Sequence, residues 1–255
     1  MKKMRIAIDS DFAIFQATEG KFTRQGAFSN EGGEVKGKSY KEPLKPYKKK
    51  FKQIIKEIED EVSVEFLGEY KIKGKARVLL SDPKGNFRYG LDADYKTNRK
   101  ASTRSELFYR LRDWAMKKYG YVKNVEADDV AGYLGRTGKY IICSFDKDVL
   151  KSVAGVHFDV YHTRRHKVVT GELEAKNFTL LQTLMGDPVD SIKGIPGVGE
   201  KTAIKLLDKF GWDDKGMLLA YESKGLGEKE MTLNRRLVGL DQWTPKKGLE
   251  LWQMK

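Results

Sequence analysis

The sequence predicts an α/β fold with a mostly parallel central sheet, and three observations carry that prediction. Short apolar runs of strand length, Ile6-Ala7-Ile8, Ala76-Arg77-Val78-Leu79-Leu80 and Tyr140-Ile141-Ile142-Cys143, alternate with longer stretches of helical spacing. Strands that alternate with helices build a parallel sheet covered on both faces. Each run is followed within a few residues by an acid, Asp9, Asp82 or Asp146, and the carboxyl ends of parallel strands are where such sheets place functional groups.

The elements follow in order. After the first strand, residues 18–47 are polar, basic and aperiodic, which predicts a basic loop or insertion. Phe51, Ile54, Ile55, Ile58 and Val62 then recur at the spacing of an amphipathic helix. The second strand is Ala76 to Leu80. Leu107, Phe108, Leu111, Trp114 and Ala115 form the stripe of a further helix, with Gly120 to end it. A helix starts at about Ala127, and another follows Asp146. Val156 to Tyr161 and Lys167 to Val169 read as a strand pair, and everything after Glu172 reads as helix. Two units are expected: residues 1–185 as an α/β core and residues 186–255 as a helical region packed on it.

Charge and cysteine content narrow the class. Lys and Arg number 49 against 36 acids, a net +13, which favours a polyanionic partner. The single cysteine, Cys143, excludes a disulfide framework and a cysteine-rich zinc site, and its apolar setting predicts a buried structural thiol. The segment after Met1 is too short for a signal-peptide core, and no apolar run has the length of a membrane span. The expected compartment is a reduced cytoplasm, with no membrane partner.

The acids are the informative feature. Asp9 and Asp82 follow strands. Glu126, Asp128 and Asp129 open a helix, and Asp146 and Asp148 follow the third strand. Asp187 and Asp190 lie in Gly186-Asp187-Pro188-Val189-Asp190. Any one group is explained by helix capping. Five groups that converge at one sheet end are not, because crowded carboxylates repel unless cations neutralise them. An all-oxygen donor set without thiolates points to magnesium or manganese. Setting these nine acids aside leaves 49 basic residues against 27 acids, so an acidic pocket sits in a body of charge +22. That combination suits a phosphodiester held by its backbone and cut at two metal ions.

Two further segments fit a nucleic-acid reading. Gly194-Ile195-Pro196-Gly197-Val198-Gly199 precedes a helix that begins with Glu200, Lys201 and Thr202. Such a turn presents backbone amides to a phosphate without reading base sequence; it is neither a Walker loop nor a Rossmann turn. Tyr95-Lys96-Thr97-Asn98-Arg99-Lys100 is basic with an aromatic, placed to meet a scissile phosphate through Lys96 and Arg99 and to stack a base on Tyr95. His162 and His166 have a spacing known from zinc helices but fall in a turn, and His157 reads as a packed strand residue. No nucleophilic serine or cysteine motif is present.

Taken in order, Ile8-Asp9-Ser10, Ser81-Asp82-Pro83-Lys84-Gly85, Tyr95 to Arg99, Val125 to Asp129, Ser144-Phe145-Asp146-Lys147-Asp148 and Gly186 to Gly199 resemble the flap endonuclease family. That family includes phage 5′ nucleases and the 5′-nuclease domain of bacterial DNA polymerase I. The likeness covers about residues 4 to 15 and 76 to 240. It implies a PIN-like α/β nuclease core with a helix–three-turn–helix DNA-binding element towards the C-terminus. Asp9, Asp82, Glu126, Asp128 and Asp129 would chiefly build a first metal site, and Asp146, Asp148, Asp187 and Asp190 a second. Lys96 and Arg99 would contact the scissile phosphate. The hairpin with Gly194, Gly197, Gly199, Lys201 and Thr202 would grip duplex DNA, sometimes with a potassium ion. The implied reaction is hydrolysis of DNA near a flap, gap or nick by a metal-activated water, leaving a 5′ phosphate and a 3′ hydroxyl.

This chain also departs from the family pattern. The stretch between Asp9 and Asp82 is longer, and that between Arg99 and Glu126 is short, which implies a reduced arch over the single strand. Asp11 lies two residues from Asp9 and competes for its role, although the likeness favours Asp9. With no polymerase region following, a stand-alone nuclease is expected, and phage origin is a guess. The competing readings are an RNase H-type member that removes RNA from an RNA–DNA hybrid, and a non-catalytic DNA-binding protein that kept the fold.

Overall fold

The computed structural model describes residues 1–20, 41–99, 104–161 and 165–254. The side chain of Arg99, His162 and most of the 18–47 stretch lie outside the described residues. In chain order the elements are β1 (Lys2–Asp9), α1 (Asp11–Thr18), α2 (Leu44–Glu65), β2 (Tyr70–Ile72), β3 (Arg77–Leu79), α3 (Arg88–Leu91), α4 (Glu106–Tyr119), α5 (Ala127–Arg136), β4 (Tyr140–Ser144), α6 (Lys147–Ser152), β5 (Gly155–Asp159), β6 (His166–Thr170), α7 (Glu172–Met185), α8 (Glu200–Phe210), α9 (Asp214–Glu222), α10 (Glu228–Val238), β7 (Trp243–Thr244) and β8 (Gly248–Leu249).

The sheet is parallel except at one edge. β1 is central: β4 pairs with it on one side, β2 and β3 pair with its two halves on the other, and β5 follows β4, all parallel. β6 returns antiparallel to β5, forming the strand pair expected over Val156 to Tyr161 and Lys167 to Val169. Side chains alternate across a strand, so Met4, Ile6, Ile8, Ile141 and Cys143 face one way, into a core with α1, α2 and α4. Ala7, Leu79 and Ile142 face the other way, into a core with α5 and α6. Cys143 is buried as expected, and burial pushes its thiol well above the usual range.

Two parts of the architecture differ from the sequence expectation. The C-terminal region is not wholly helical: β7 and β8 form a small antiparallel pair, with Trp243 packed edge-on against Tyr133 of α5. The core also does not divide at residue 185. Leu180 and Leu184 of α7 share one apolar cluster with Ala203, Leu207, Met217, Tyr221 and Met231 of α8, α9 and α10, so α7 packs with the helices that follow it. The Tyr221 hydroxyl, donating to the Thr183 carbonyl at 2.6 Å and accepting from Asn234 at 3.0 Å, ties three of these helices together.

Where the helical unit meets the sheet unit, one side chain spans the seam. Arg88 is 1% exposed. Its guanidinium donates to both oxygens of Asp129 at 2.9 and 2.8 Å, and to the carbonyls of Leu237 and Gly239 at the end of α10 at 2.7 and 2.8 Å. Among the described residues no helix is long and apolar enough to cross a membrane.

Candidate metal centre at the carboxyl ends of the strands

The parallel register brings the ends of β1, β3 and β4 to one level, and loops from three more segments close over them. Asp9 is the last residue of β1; it is buried, and one of its oxygens accepts from the Ser144 hydroxyl at 3.3 Å. Asp146 is the N-cap of α6 and accepts from the Asp148 amide at 2.8 Å. Glu126 and Asp128 flank the start of α5. A cavity of about 70 Å³ collects Glu126, Asp128, Asp146, Asp148, Asp187 and Asp190, with Lys96 and Gln182 beside them.

The electrostatics record the crowding. Burial, then the charges of Asp11 and Asp146, push the Asp9 carboxyl up to about 7. Burial, then Asp9, Asp146 and Glu126, hold Asp128 well above the carboxylate range. Burial with Asp146 and Asp187 pushes Asp148 up to about 7. Glu126 goes the other way: burial alone would raise it, but the cations of Lys96 and Arg88 draw it down to about 2. A cluster that resists ionisation without a counter-charge has the character of a cation site.

Asp129, Asp82 and Asp187 are held by backbone amides or by Arg88. Asp129 is fully buried, with both oxygens on Arg88 and one on the Glu126 amide at 3.2 Å. In that capping and ion-pair role it does not line the cavity. Asp82 is held in its turn by the Lys84 amide at 2.9 Å and the Asn124 amide at 2.7 Å. Asp187 accepts from the Val189 amide at 2.8 Å but still lines the cavity, whereas Asp82 does not. Asp11 takes a place nearer the cluster: it accepts from the Ser81 amide at 3.2 Å and acts electrostatically on Asp9.

The basic segment is folded down on the acids. Lys96 adopts a positive φ of 57°, and its ammonium pairs with Glu126 and lies 3.7 Å from Asp190. Its amide donates to the Asp190 carbonyl at 2.8 Å, and Asn98 donates to the Pro188 carbonyl at 2.7 Å. These bonds join the 95–98 and 187–191 segments. Tyr95 does not offer a stacking face. It is 3% exposed, packs edge-on against Tyr89 and donates to Glu126 at 3.0 Å, so burial of the ring corrects that expectation.

In the glycine hairpin the glycines have different tasks. Gly194 is buried, its amide donates to Asn234 at 3.2 Å, and a Cβ there would meet the Gly186 amide nitrogen at 2.3 Å. It serves close backbone packing, not a direct contact with a partner. Gly197, Gly199, Lys201 and Thr202 are exposed together at the start of α8. Of the histidines, His157 is buried with its ring on the Val153 carbonyl at 2.7 Å, and His166 is an exposed residue of β6.

The donor set is oxygen throughout, which fits magnesium or manganese and not a soft metal. Asp148 keeps a buried Oδ1 without a hydrogen-bond partner, and Asp128 makes no hydrogen bond or ion pair among the described residues. These are oxygens left for a cation. As placed, among the described residues, no three acids close on one point as a finished ion cage, so the fit rests on side chains that can turn inward. A larger cavity of about 680 Å³ lies at the opposite end of the sheet, beside Gly138 and Gly155. Its charges include the Arg235–Asp241 pair and it gathers no acidic cluster, so size does not mark the chemistry here.

Comparison with known proteins gives these features a context. Residues 173–242 match the family model for the 5′-3′ exonuclease C-terminal SAM fold. The chain is 31% identical over 160 residues to a 5′-3′ exonuclease of Buchnera aphidicola, covering 56% of this chain and 55% of the relative. It is 33% identical over 184 residues to DNA polymerase I of Bacillus caldotenax, covering 64% of this chain and 21% of that one. The chain thus spans about half the length of the curated exonucleases it matches and a smaller share of the polymerases. In fold it is similar to the T5 D15 protein crystallised with metal ions, with a TM-score of 0.63, 18% identity, and coverage of 94% of this chain and 90% of that one. It is also similar to the bacteriophage T5 D15 flap endonuclease in a pseudo-enzyme-product complex with DNA and metal ions, with a TM-score of 0.61, 18% identity, and coverage of 94% and 89%. The sequence is thus similar over part of its length to 5′-3′ exonucleases, and the fold is similar to that of the T5 D15 protein.

Proposed function

We propose that this chain, a relative of the 5′-3′ exonucleases, is a divalent-metal-dependent 5′ nuclease that hydrolyses DNA phosphodiesters at junctions of single and double strand. The observation that carries the proposal is the carboxylate cleft itself. Acids from the starts of α5 and α6 and from the 187–190 turn line one small cavity beside Lys96, with Asp9 of β1 acting on Asp128 from beside it, inside a chain of net charge +13.

Asp9, Glu126 and Asp128 would hold a first ion, with Asp11 the nearer neighbour in place of Asp82. Asp146, Asp148, Asp187 and Asp190 would hold a second. Bound magnesium or manganese would supply a nucleophilic water at neutral pH and stabilise the leaving oxygen. The rest of the work falls to the chain's own residues. Ion binding would take Glu126 and Asp190 as ligands, which frees the Lys96 ammonium to hold a non-bridging phosphate oxygen; Arg99, three residues on, would share that task. The positive φ at Lys96 and the bonds from 95–98 to 187–191 fix where that ammonium stands. Exposed amides at Gly197 and Gly199, with Lys201 and Thr202, would hold a duplex phosphate backbone without base contacts. A potassium ion at this hairpin would take its oxygen donors from the same turn.

The test is cleavage of a labelled 5′-flap duplex with magnesium and with excess chelator, beside a gapped duplex and an RNA–DNA hybrid. Magnesium-dependent cutting near the junction is expected, and preference for the hybrid would shift the assignment to RNA removal. No cutting of any substrate, with salt-sensitive DNA binding retained, would overturn the catalytic assignment in favour of a binding protein.

A further inference from the structure

We propose that the surface between α2 and α4 binds the unpaired single-stranded arm of the nucleic-acid substrate, through Lys48, Lys52 and Lys118 gathered on Trp114. The inference rests on the nuclease reading above and adds a second nucleic-acid surface to it.

Three ammoniums lie around one indole: Lys48 at 5.3 Å, Lys52 at 5.6 Å and Lys118 at 5.9 Å from the ring centroid. The ring is fixed from below by edge contacts to Phe51 and Tyr119, at 6.1 Å each. Among the described residues no carboxylate pairs with any of the three lysines. Lys45 and Lys49 continue the exposed stripe on α2, whose first turn contains no acid. Each ammonium is drawn to the ring face, and with no carboxylate in ion-pair reach the three together leave a local positive patch that favours an anion. Lysines interleaved with an aromatic are the usual equipment of a channel that tracks a single strand.

Position selects the occupant. The α8 hairpin, proposed for the duplex, belongs to the helical unit, whereas Trp114 lies in the α1–α2–α4 layer on the other face of the sheet. The cleft lies between them, at the sheet's carboxyl edge. A substrate with its duplex on the hairpin and its reactive phosphate in the cleft therefore continues past the cleft as an unpaired arm. The route is marked one turn along α1 from Asp11, where Arg104 covers the rings of Phe15 at 4.8 Å and Phe108 at 5.5 Å. From there α4 leads to Trp114.

The test compares the intact chain with the triple variant Lys48→Ala, Lys52→Ala, Lys118→Ala. A second triple variant, Lys71→Ala, Lys75→Ala, Lys139→Ala, removes the same charge from exposed positions at the far end of the sheet. Equilibrium binding is measured by anisotropy in chelator across a salt series, with a nicked duplex and with the same duplex bearing a single-stranded 5′ arm. In the unaltered protein the arm strengthens binding. The Trp114-face variant should lose about tenfold on the armed substrate and reduce its salt slope by about 2, since each single-strand phosphate contact contributes roughly 0.7. It should bind the armless nicked duplex as before, and cut it as before once magnesium replaces the chelator, and the far-end variant should keep the arm's gain. Equal losses on both substrates, an unchanged armed substrate, or the same loss in the far-end variant would overturn the proposal while the nuclease reading stands. Failure of the unaltered protein to bind either DNA would overturn both.

Discussion

Asp128 and Asp129 are adjacent on the first turn of α5 and have opposite fates, which makes them the sharpest test of residue-level reasoning here. Asp129 is buried and gripped at both oxygens by Arg88, so its charge is compensated. Removing one partner of a buried ion pair leaves the other uncompensated and costs about 3 to 5 kcal/mol. Asp129→Asn should therefore lower the urea midpoint strongly. Asp128 faces Asp9, Asp146 and Glu126, whose charges outweigh that of Lys96, and has no ion-pair partner among the described residues, so Asp128→Asn removes repulsion. In the metal-free protein it should raise the midpoint while abolishing magnesium-dependent cutting. If both variants destabilise alike, the two aspartates do not have separate roles. Lys96 is the third residue at this scale: Lys96→Ala should cut turnover sharply and leave duplex affinity largely intact, as steady-state kinetics beside anisotropy would show. Unchanged turnover would remove Lys96 from the phosphate site.

At the scale of elements, the glycine hairpin shows two uses of one residue type. Gly194 has φ +58° and no room for a Cβ, with Gly186 backbone 2.3 Å away, whereas Gly197 has φ +74° and open space around it. Gly197→Ala should cost roughly 1 to 2 kcal/mol of conformational strain and leave the fold intact. Gly194→Ala adds a backbone clash and should unfold α7 to α10, seen as lost protection of their amides in hydrogen exchange. Equal effects would mean that the hairpin is looser than its geometry. The same distinction explains what was legible in the sequence. Carboxylates after apolar runs, helix stripes and the order of elements have local signatures, and β1, β4, α2, α4 and α5 follow them. β2 is three residues long and β7 and β8 two each, too short for a period to register. Whether Asp82 or Asp11 turns toward Asp9 depends on which backbone amide claims each one, and those amides come from distant segments. Arg88 had no signal at all: its partners lie 41, 149 and 151 residues away. Tyr95 read as an exposed aromatic because the acid that accepts its hydroxyl is 31 residues on.

The whole molecule is a basic body built around an acidic centre, and that contrast fixes how its stability responds to pH. Asp9 and Asp148 have carboxyls raised to about 7 in the folded chain, against about 4 when unfolded. Asp128 is likewise held well above the carboxylate range by burial and by Asp9, Asp146 and Glu126. A raised carboxyl means that the folded state holds protons the unfolded state has released. These groups therefore cost nothing below about pH 4 and progressively weaken the fold as pH rises through about 7. Glu126 runs opposite: drawn down to about 2 by Lys96 and Arg88, it stabilises fully above its unfolded value and loses that contribution as pH falls towards 2. The metal-free protein should accordingly be most stable at about pH 4 and lose thermal stability towards pH 8. Divalent cations reverse the upper limb, because an ion bound by the folded state alone adds stability by mass action and removes the repulsion that set the slope. Thermal unfolding from pH 4 to 8, in chelator and in excess magnesium or manganese, measures both limbs. The expected result is a falling curve in chelator that flattens or inverts with the cation. A stability that rises from pH 5 to 8 in chelator, or one that ignores the cation, would mean that the acids at the strand ends are a capped and solvated set and not a metal centre.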